Sequence, residues 1–289
     1  MLAHTPYDGS SKPFTIGLRP LDPARWIEPD ADLARFLAEK QRLFADQRDA
    51  VFTARADTQA SQREIRDALA DYLTQTYSDL YVRDGNGILI VPLRQRLAFD
   101  DILPPLMQAA LLVQDDLALM RRFDNGWRLA AAAICFPSTW NLREKFDRTL
   151  ADIHAPVPGF PGEMEKRVTR IFDNLRAGAP VERFNWSIYD NDVLHHPHPT
   201  PRPSPATEPS FVRIERQTLR RMASGDILFT IRILIDPIAA FRDHPEGQTL
   251  AAALRDQLLA LTPDQLAYKN MTESRDRIAH SLAAFVTSD

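Results

Sequence analysis

The chain has 289 residues, the length of one large domain or two of medium size. Hydrophobic residues make up 44% and charged residues 26%, which fits a globular protein and excludes collagen-like, disordered and coiled-coil classes. Lys+Arg 35 against Asp+Glu 39 gives a net charge of -4, so the basic surplus expected of a nucleic-acid partner is missing, and a single cysteine excludes an intramolecular disulfide and any multi-cysteine zinc or iron–sulfur centre held by this chain alone.

The longest apolar run, residues 129–136, is eight residues long. A membrane span needs about 20. Residues 1–12 have no apolar core of the kind a secretion signal carries. The expectation is a cytoplasmic protein with neither a membrane nor a nucleic-acid partner. Proline is abundant, 22 residues against 10 glycines, which implies many fixed corners.

In chain order, residues 1–30 read as an ordered arm punctuated by Pro13, Pro20, Pro23 and Pro29. A helix is predicted from Asp30 or Asp32 to about residue 46, with Leu33, Phe36, Leu37, Leu43 and Phe44 on one stripe. A second is predicted from Ser61, with Glu64 at capping-box spacing and Ile65, Leu69, Tyr72 and Leu73 recurring at helical period. Residues 80–91 read as a hairpin around Asp84-Gly-Asn-Gly87, and residues 100–112 as a helix opened by Pro104-Pro105. A second hairpin turns at Asp124-Asn-Gly126, and its second strand, apolar on both faces, belongs inside a sheet.

Residues 162–176 form an amphipathic helix with Met164, Val168, Ile171, Phe172 and Leu175 on one face. Residues 184–189 read as a strand, and residues 195–209 as an exposed loop with six prolines. Residues 211–219 and 227–235 read as an antiparallel pair, followed by helices at 248–261 and from Pro263 to about residue 286. Strands between helical ends, with no repeated βαβ unit, make an α+β fold. The expected division is 1–79 (arm and helices packed on the core), 80–237 (a core forming one antiparallel sheet) and 238–289 (C-terminal helices), all one integrated domain.

Nucleotide-binding glycine loops, His-Glu-x-x-His and Gly-x-Ser-x-Gly are all absent. Four constellations remain. Cys135, at the end of an apolar strand, reads as a small hydrophobe or as a thiol ligand. His154, in Ile153-His-Ala-Pro-Val-Pro158, reads as a hydrogen-bonded core residue or as a ligand whose backbone is fixed by proline. In the run 213–221 with Arg232, Arg213 and Glu215 share one strand face and Arg216 the other; these charges are either paired or form a wall for an anionic group. His195-His-Pro-His198 reads as a surface cluster more readily than as a metal site, and Trp127, Trp140 and Trp186 as core or pocket wall.

Together, Gly126-Trp-Arg-Leu-Ala-Ala-Ala, Cys135-Phe-Pro-Ser, Glu144-Lys145, Ile153-His-Ala-Pro-Val-Pro-Gly159, Arg183-Phe-Asn-Trp-Ser187, Arg216-Gln-Thr-Leu and Ile227-Leu-Phe-Thr-Ile-Arg232 resemble the haem-dependent oxidative N-demethylase α-subunit family, from about Arg19 to Lys269. The resemblance implies a PAS-like antiparallel sheet holding b-type haem. It implies electrons from NADPH through partner chains carrying FMN and a [2Fe–2S] cluster, and oxidation of a methyl group of a small secondary amine such as dimethylamine, with release of formaldehyde. A tetrahydrofolate-binding partner would take up the formaldehyde. His154 is the first candidate for the axial ligand and Cys135 its rival. Arg216, Arg232 and Arg183 are candidate propionate partners, and Trp186 a candidate cofactor contact. The competing reading is a non-catalytic haem or small-ligand sensor on the same fold.

Overall fold

A computed structural model of the protein describes residues 2–198 and 211–286. Its strands, in chain order, are β1 (Arg19–Pro20), β2 (Phe52–Ala54), β3 (Tyr81–Arg83), β4 (Gly87–Ile90), β5 (Gln95–Ala98), β6 (Asp116–Phe123), β7 (Gly126–Ala133), β8 (Val181–Tyr189), β9 (Phe211–Arg221) and β10 (Ile227–Pro237). Seven of them form one antiparallel sheet in the order β1-β8-β9-β10-β6-β7-β2. The helices are α1 (Leu33–Asp46), α2 (Arg48–Val51), α3 (Gln59–Thr76), α4 (Pro105–Ala110), α5 (Leu142–Lys145), α6 (Leu150–His154), α7 (Glu163–Asn174), α8 (Gly247–Leu259), α9 (Pro263–Tyr268) and α10 (Arg275–Val286). A large antiparallel sheet flanked by helices is the α+β fold expected from the residue pattern. Among the described residues, no helix is long and apolar enough to cross a membrane.

Period-2 alternation sorts the side chains of the long strands. In the β8–β9 ladder Trp186 faces Ile214 and Ile188 faces Val212, and these four pack with Leu250, Leu254 and Leu282 of α8 and α10. Farther across the same face, Leu117, Leu119 and Leu228 pack with Phe36, Leu37, Leu69 and Leu106 of α1, α3 and α4. On the opposite face, Met120, Leu129 and Leu219 pack with Leu142, Leu150 and Phe172 from α5, α6 and α7. Helices thus cover both faces of one sheet.

Several expectations need correction. Residues 80–98 do not join the large sheet: β4 pairs with β3 on one side and β5 on the other, giving a separate three-stranded sheet. Strands of three or four residues satisfy one another locally, and the edges of the large sheet are already taken by β1 and β2, which come from the N-terminal 54 residues. The capping box foreseen at Ser61 does not form. Helix α3 starts two residues earlier, and the Glu64 carboxylate accepts from the backbone N–H groups of Ala223 and Ser224 in the β9–β10 turn. The helix expected over 100–112 shrinks to the six residues that follow Pro104. The final helix is broken in two, where Asn270 takes a left-handed φ of 55°. The strand β7 is interior as expected, second from the edge, beneath β2. Most of the proline loop lies outside the described residues.

Candidate functional site

A cavity of about 240 Å³ lies between the sheet and the α5–α7 layer. Its sheet wall comes from the face that carries Arg183, Asn185 and Ser187 of β8, Glu215, Gln217 and Leu219 of β9, Phe229 and Ile231 of β10, and Met120 of β6. The pairings Arg183 with Gln217, Asn185 with Glu215, and Phe229 with Leu219 place these side chains on one surface. The opposite wall is Trp140, Lys145, Leu150, Ile153, His154, Val157, Phe160, Met164 and Val168. Phe14, Ile16 and Leu18 of the N-terminal arm and Tyr268 and Lys269 also line it. One part of the cavity is therefore apolar, and another carries a concentrated set of charged and amide groups.

His154 ends α6, a five-residue helix that sequence periodicity cannot reveal. The helix is nucleated by a capping box in which the Thr149 side chain accepts from the Asp152 N–H and the Asp152 carboxylate accepts from the Thr149 N–H. The Lys145 ammonium donates to the Ile153 carbonyl at 2.9 Å and lies 5.3 Å from the centre of the Trp140 ring, which pins the last turn. Pro156 and Pro158 then stop the helix, and the chain folds back so that Phe160 stacks on the imidazole at 4.7 Å and 20°. His154 Nδ1 is 2.9 Å from the Leu150 carbonyl, an acceptor, so Nδ1 carries the proton and the Nε2 lone pair is left for another partner. Burial pushes the imidazole pKa down to about 4, against the opposing effect of the Leu150 bond, so the ring is neutral at physiological pH. A neutral imidazole with Nδ1–H held by a backbone carbonyl is the form that binds a metal through Nε2.

The polar wall is a connected network. The Gln217 amide donates to Glu215 Oε2 at 2.8 Å, and the Asn185 amide to the same oxygen at 3.5 Å. Lys269 donates to Asn185 Oδ1 at 2.9 Å and also to the Trp186 carbonyl. Burial pulls its pKa down to about 8, with Glu215 opposing. Arg183 is buried against this wall, and its Nε has no hydrogen-bond partner. Burial lowers its pKa and the Glu215 carboxylate raises it. The Arg183 guanidinium is a cation on the cavity wall whose hydrogen-bonding capacity the fold does not use in full.

Of the candidate ligand, charged and tryptophan residues singled out from the sequence, His154, Arg183, Glu215 and Trp140 line this cavity, and Cys135, Arg213, Arg216, Arg232, Trp127 and Trp186 do not. Arg216, 1% exposed, sits on the other face of β9, where it donates to Glu182 Oε2 at 2.9 Å and to the carbonyls of Arg25 and Trp26. Arg232 pairs with it across the ladder, donates to Asp30 Oδ2 and lies 4.3 Å from the centre of the Phe36 ring. Trp186 points into the C-terminal helices, with Nε1 donating to Gln257 at 3.0 Å. Cys135 is fully buried in the α1–α3–α4 core; its N–H donates to Asp116, and burial raises its thiol pKa well above the usual value, which disfavours the thiolate.

Arg213 does lie on the side of β9 that faces the cavity layer, but it is spent on structure. It donates to the carbonyls of Phe136, Val193 and Leu194 and ties down the segment after β7. His195 and His196 pack into that same segment, His195 against the Cys135 carbonyl and His196 against the Tyr189 ring. No group of three or more metal-binding side chains occurs among the described residues.

Sequence reasoning missed Lys145 and Lys269 as cavity residues and read Glu215 only among strand charges that are paired or form a wall for an anionic group. The available signal was the alternation Arg183-x-Asn185-x-Ser187: three polar side chains on one face of a strand that is covered on both faces.

A profile for the haem-dependent oxidative N-demethylase, alpha subunit-like family matches residues 17–279. That stretch contains β1 to β10, the α6 turn and the cavity walls from Gly17 onward. The chain belongs to the haem-dependent oxidative N-demethylase alpha subunit-like family.

Proposed function

We propose that the chain is the haem-binding catalytic subunit of an oxidative N-demethylase that acts on a small secondary amine such as dimethylamine and releases formaldehyde. The observation that carries this reading is His154: a neutral imidazole at a cavity wall, with Nδ1 tied to a carbonyl and Nε2 left over, in a chain of a haem-dependent family. The cavity suits a b-type haem chemically. Leu150, Ile153, Val157, Phe160, Leu219 and Phe229 offer an apolar surface to a macrocycle, and Arg183 offers a cation to its carboxylates. The chain has no Cys-x-x-Cys-His, so attachment would be non-covalent. In this proposal His154 Nε2 is the iron ligand, Lys145 and Phe160 hold the imidazole in place, and the Arg183 guanidinium pairs with a propionate.

Haem, when bound, supplies the O2 activation that oxidises a methyl group. The chain's apolar wall excludes water from that site. The electrons must come from outside, because this chain has no flavin motif and one cysteine. A cytoplasmic reductase partner carrying FMN and [2Fe–2S], with a tetrahydrofolate-binding partner for the formaldehyde, completes the proposal.

The test has two stages. Hemin titration should give a saturating Soret shift at one equivalent. The haem-loaded chain should then release formaldehyde from dimethylamine only when NADPH and a flavin–[2Fe–2S] reductase are added. Reduction of the haem by that reductase with no oxidation of any methylated amine would favour the sensor reading.

A further inference from the structure

Glu215 is the one carboxylate among the residues lining the cavity, and it is held asymmetrically. Both amide donors, from Gln217 and Asn185, converge on Oε2. Oε1 accepts no hydrogen bond from any described residue. The neighbouring cations are committed elsewhere: Lys145 to the Ile153 carbonyl, Lys269 to Asn185 and backbone, and Arg213 to three carbonyls. No ion pair among the described residues joins Arg183 to Glu215. The carboxylate is thus fixed in orientation by its amides while one oxygen stays open on the cavity side.

Tyr189 and Tyr268 also line the cavity; the Tyr189 ring packs with His196 and with Arg213, whose guanidinium lies 5.5 Å from its centre, and Tyr268 packs edge-on with Phe14. A carboxylate oxygen beside aromatic rings is the chemistry that recognises a methylated ammonium ion. The N–H donates to the carboxylate, and the methyl groups, which carry the positive charge outward, lie against apolar or aromatic side chains.

We propose that Glu215 is the residue that selects a cationic alkylamine, with its Oε1 accepting the N–H of a protonated secondary amine and Tyr189 and Tyr268 bordering the methyl groups. The inference deepens the demethylase reading and rests on it for the class of substrate. It assigns Glu215 to binding and specificity, not to the oxidation itself.

The experiment is calorimetric titration of the haem-loaded protein with dimethylammonium, and with neutral dimethyl ether as a shape control, for wild type, Glu215→Gln and Glu215→Asp. The Gln variant keeps an oxygen for the Gln217 amide and removes the charge. Soret absorbance reports haem content and circular dichroism reports folding in the same samples. Wild type should bind dimethylammonium and not the ether. Glu215→Gln should bind the cation at least about tenfold more weakly with unchanged haem content, the loss expected for a charge-assisted hydrogen bond. Glu215→Asp, which keeps the charge, should recover part of the affinity. Equal binding by wild type and Glu215→Gln, or no binding by wild type, overturns the assignment even if haem binds as proposed. A chain that takes up no haem but still binds dimethylammonium in a Glu215-dependent way overturns the haem reading and leaves the assignment standing.

Discussion

The two faces of β8, β9 and β10 carry similar charged residues put to different uses. On the face away from the cavity, Arg216 is enclosed by Glu182, two backbone carbonyls and, at 3.7 Å, Glu28. On the cavity face, Arg183 keeps an unpartnered Nε, Glu215 an open oxygen and His154 a free Nε2. Burial alone does not separate the two sets. Arg232 Nε, on the same face as Arg216, is also unpartnered, so what separates the two sets is that the cavity-face groups border an open space whereas Arg216 and Arg232 are enclosed by protein. Desolvating a charge is costly, and the enclosed set offsets that cost with partners inside the fold, whereas the cavity set can gain partners from a ligand.

The contrast predicts opposite phenotypes. The largest effect on stability belongs to the enclosed side. Arg216→Ala takes one of two arginines from the buried Glu182 carboxylate, which keeps Arg19, strips the Arg25 and Trp26 carbonyls of their donor, and should cost about 3 kcal/mol in denaturant unfolding. Arg183→Ala, on the cavity side, should leave the unfolding midpoint nearly unchanged and weaken hemin binding about tenfold, the scale of one lost charged hydrogen bond. The reverse pattern would break the distinction between the faces.

A pH series sharpens the same contrast. Protonated imidazole cannot bind iron, and an ordinary histidine near 6.5 would lose hemin affinity about tenfold per pH unit below that value. Burial holds His154 near 4, so protons compete only below about that pH. Hemin affinity should therefore stay flat from about pH 8 to 5, provided the fold is intact by circular dichroism. A decline that begins near 6.5 would mean that the imidazole is not held as described. The smallest effect is expected at Cys135. Cys135→Ser puts a hydroxyl into a dry core, should cost about 1–3 kcal/mol and should leave the haem spectrum unchanged.

Much of this architecture is legible in the residues. The two eleven-residue strands β9 and β10, the amphipathic α7 and the alternation that separates Arg213 and Glu215 from Arg216 all follow from periodicity. Periodicity does not say which face of a doubly covered sheet holds a cavity, because both faces are apolar enough to be packed. That is why Arg216 and Arg232 look as eligible as Arg183. Short elements escape for a different reason. β1, β2 and α6 have two, three and five residues, and their positions are set by tertiary partners and a capping box. His154 could be singled out from its proline-fixed setting, but its tautomer and its stacking on Phe160 required the fold. The helix break at residues 269–274, which brings Tyr268 and Lys269 to the cavity, carries no proline or glycine to announce it.

The central claim is that iron is bound from the cavity by His154. The direct measurement is the spectrum of the reduced CO complex and the hemin affinity of wild type, His154→Ala and Cys135→Ser. Histidine ligation predicts a wild-type CO complex without the band at about 450 nm that marks a thiolate, loss of stable haem retention in His154→Ala, and a Cys135→Ser protein spectrally identical to wild type. A band at about 450 nm in the wild type that disappears in Cys135→Ser, with haem retained in His154→Ala, would contradict it.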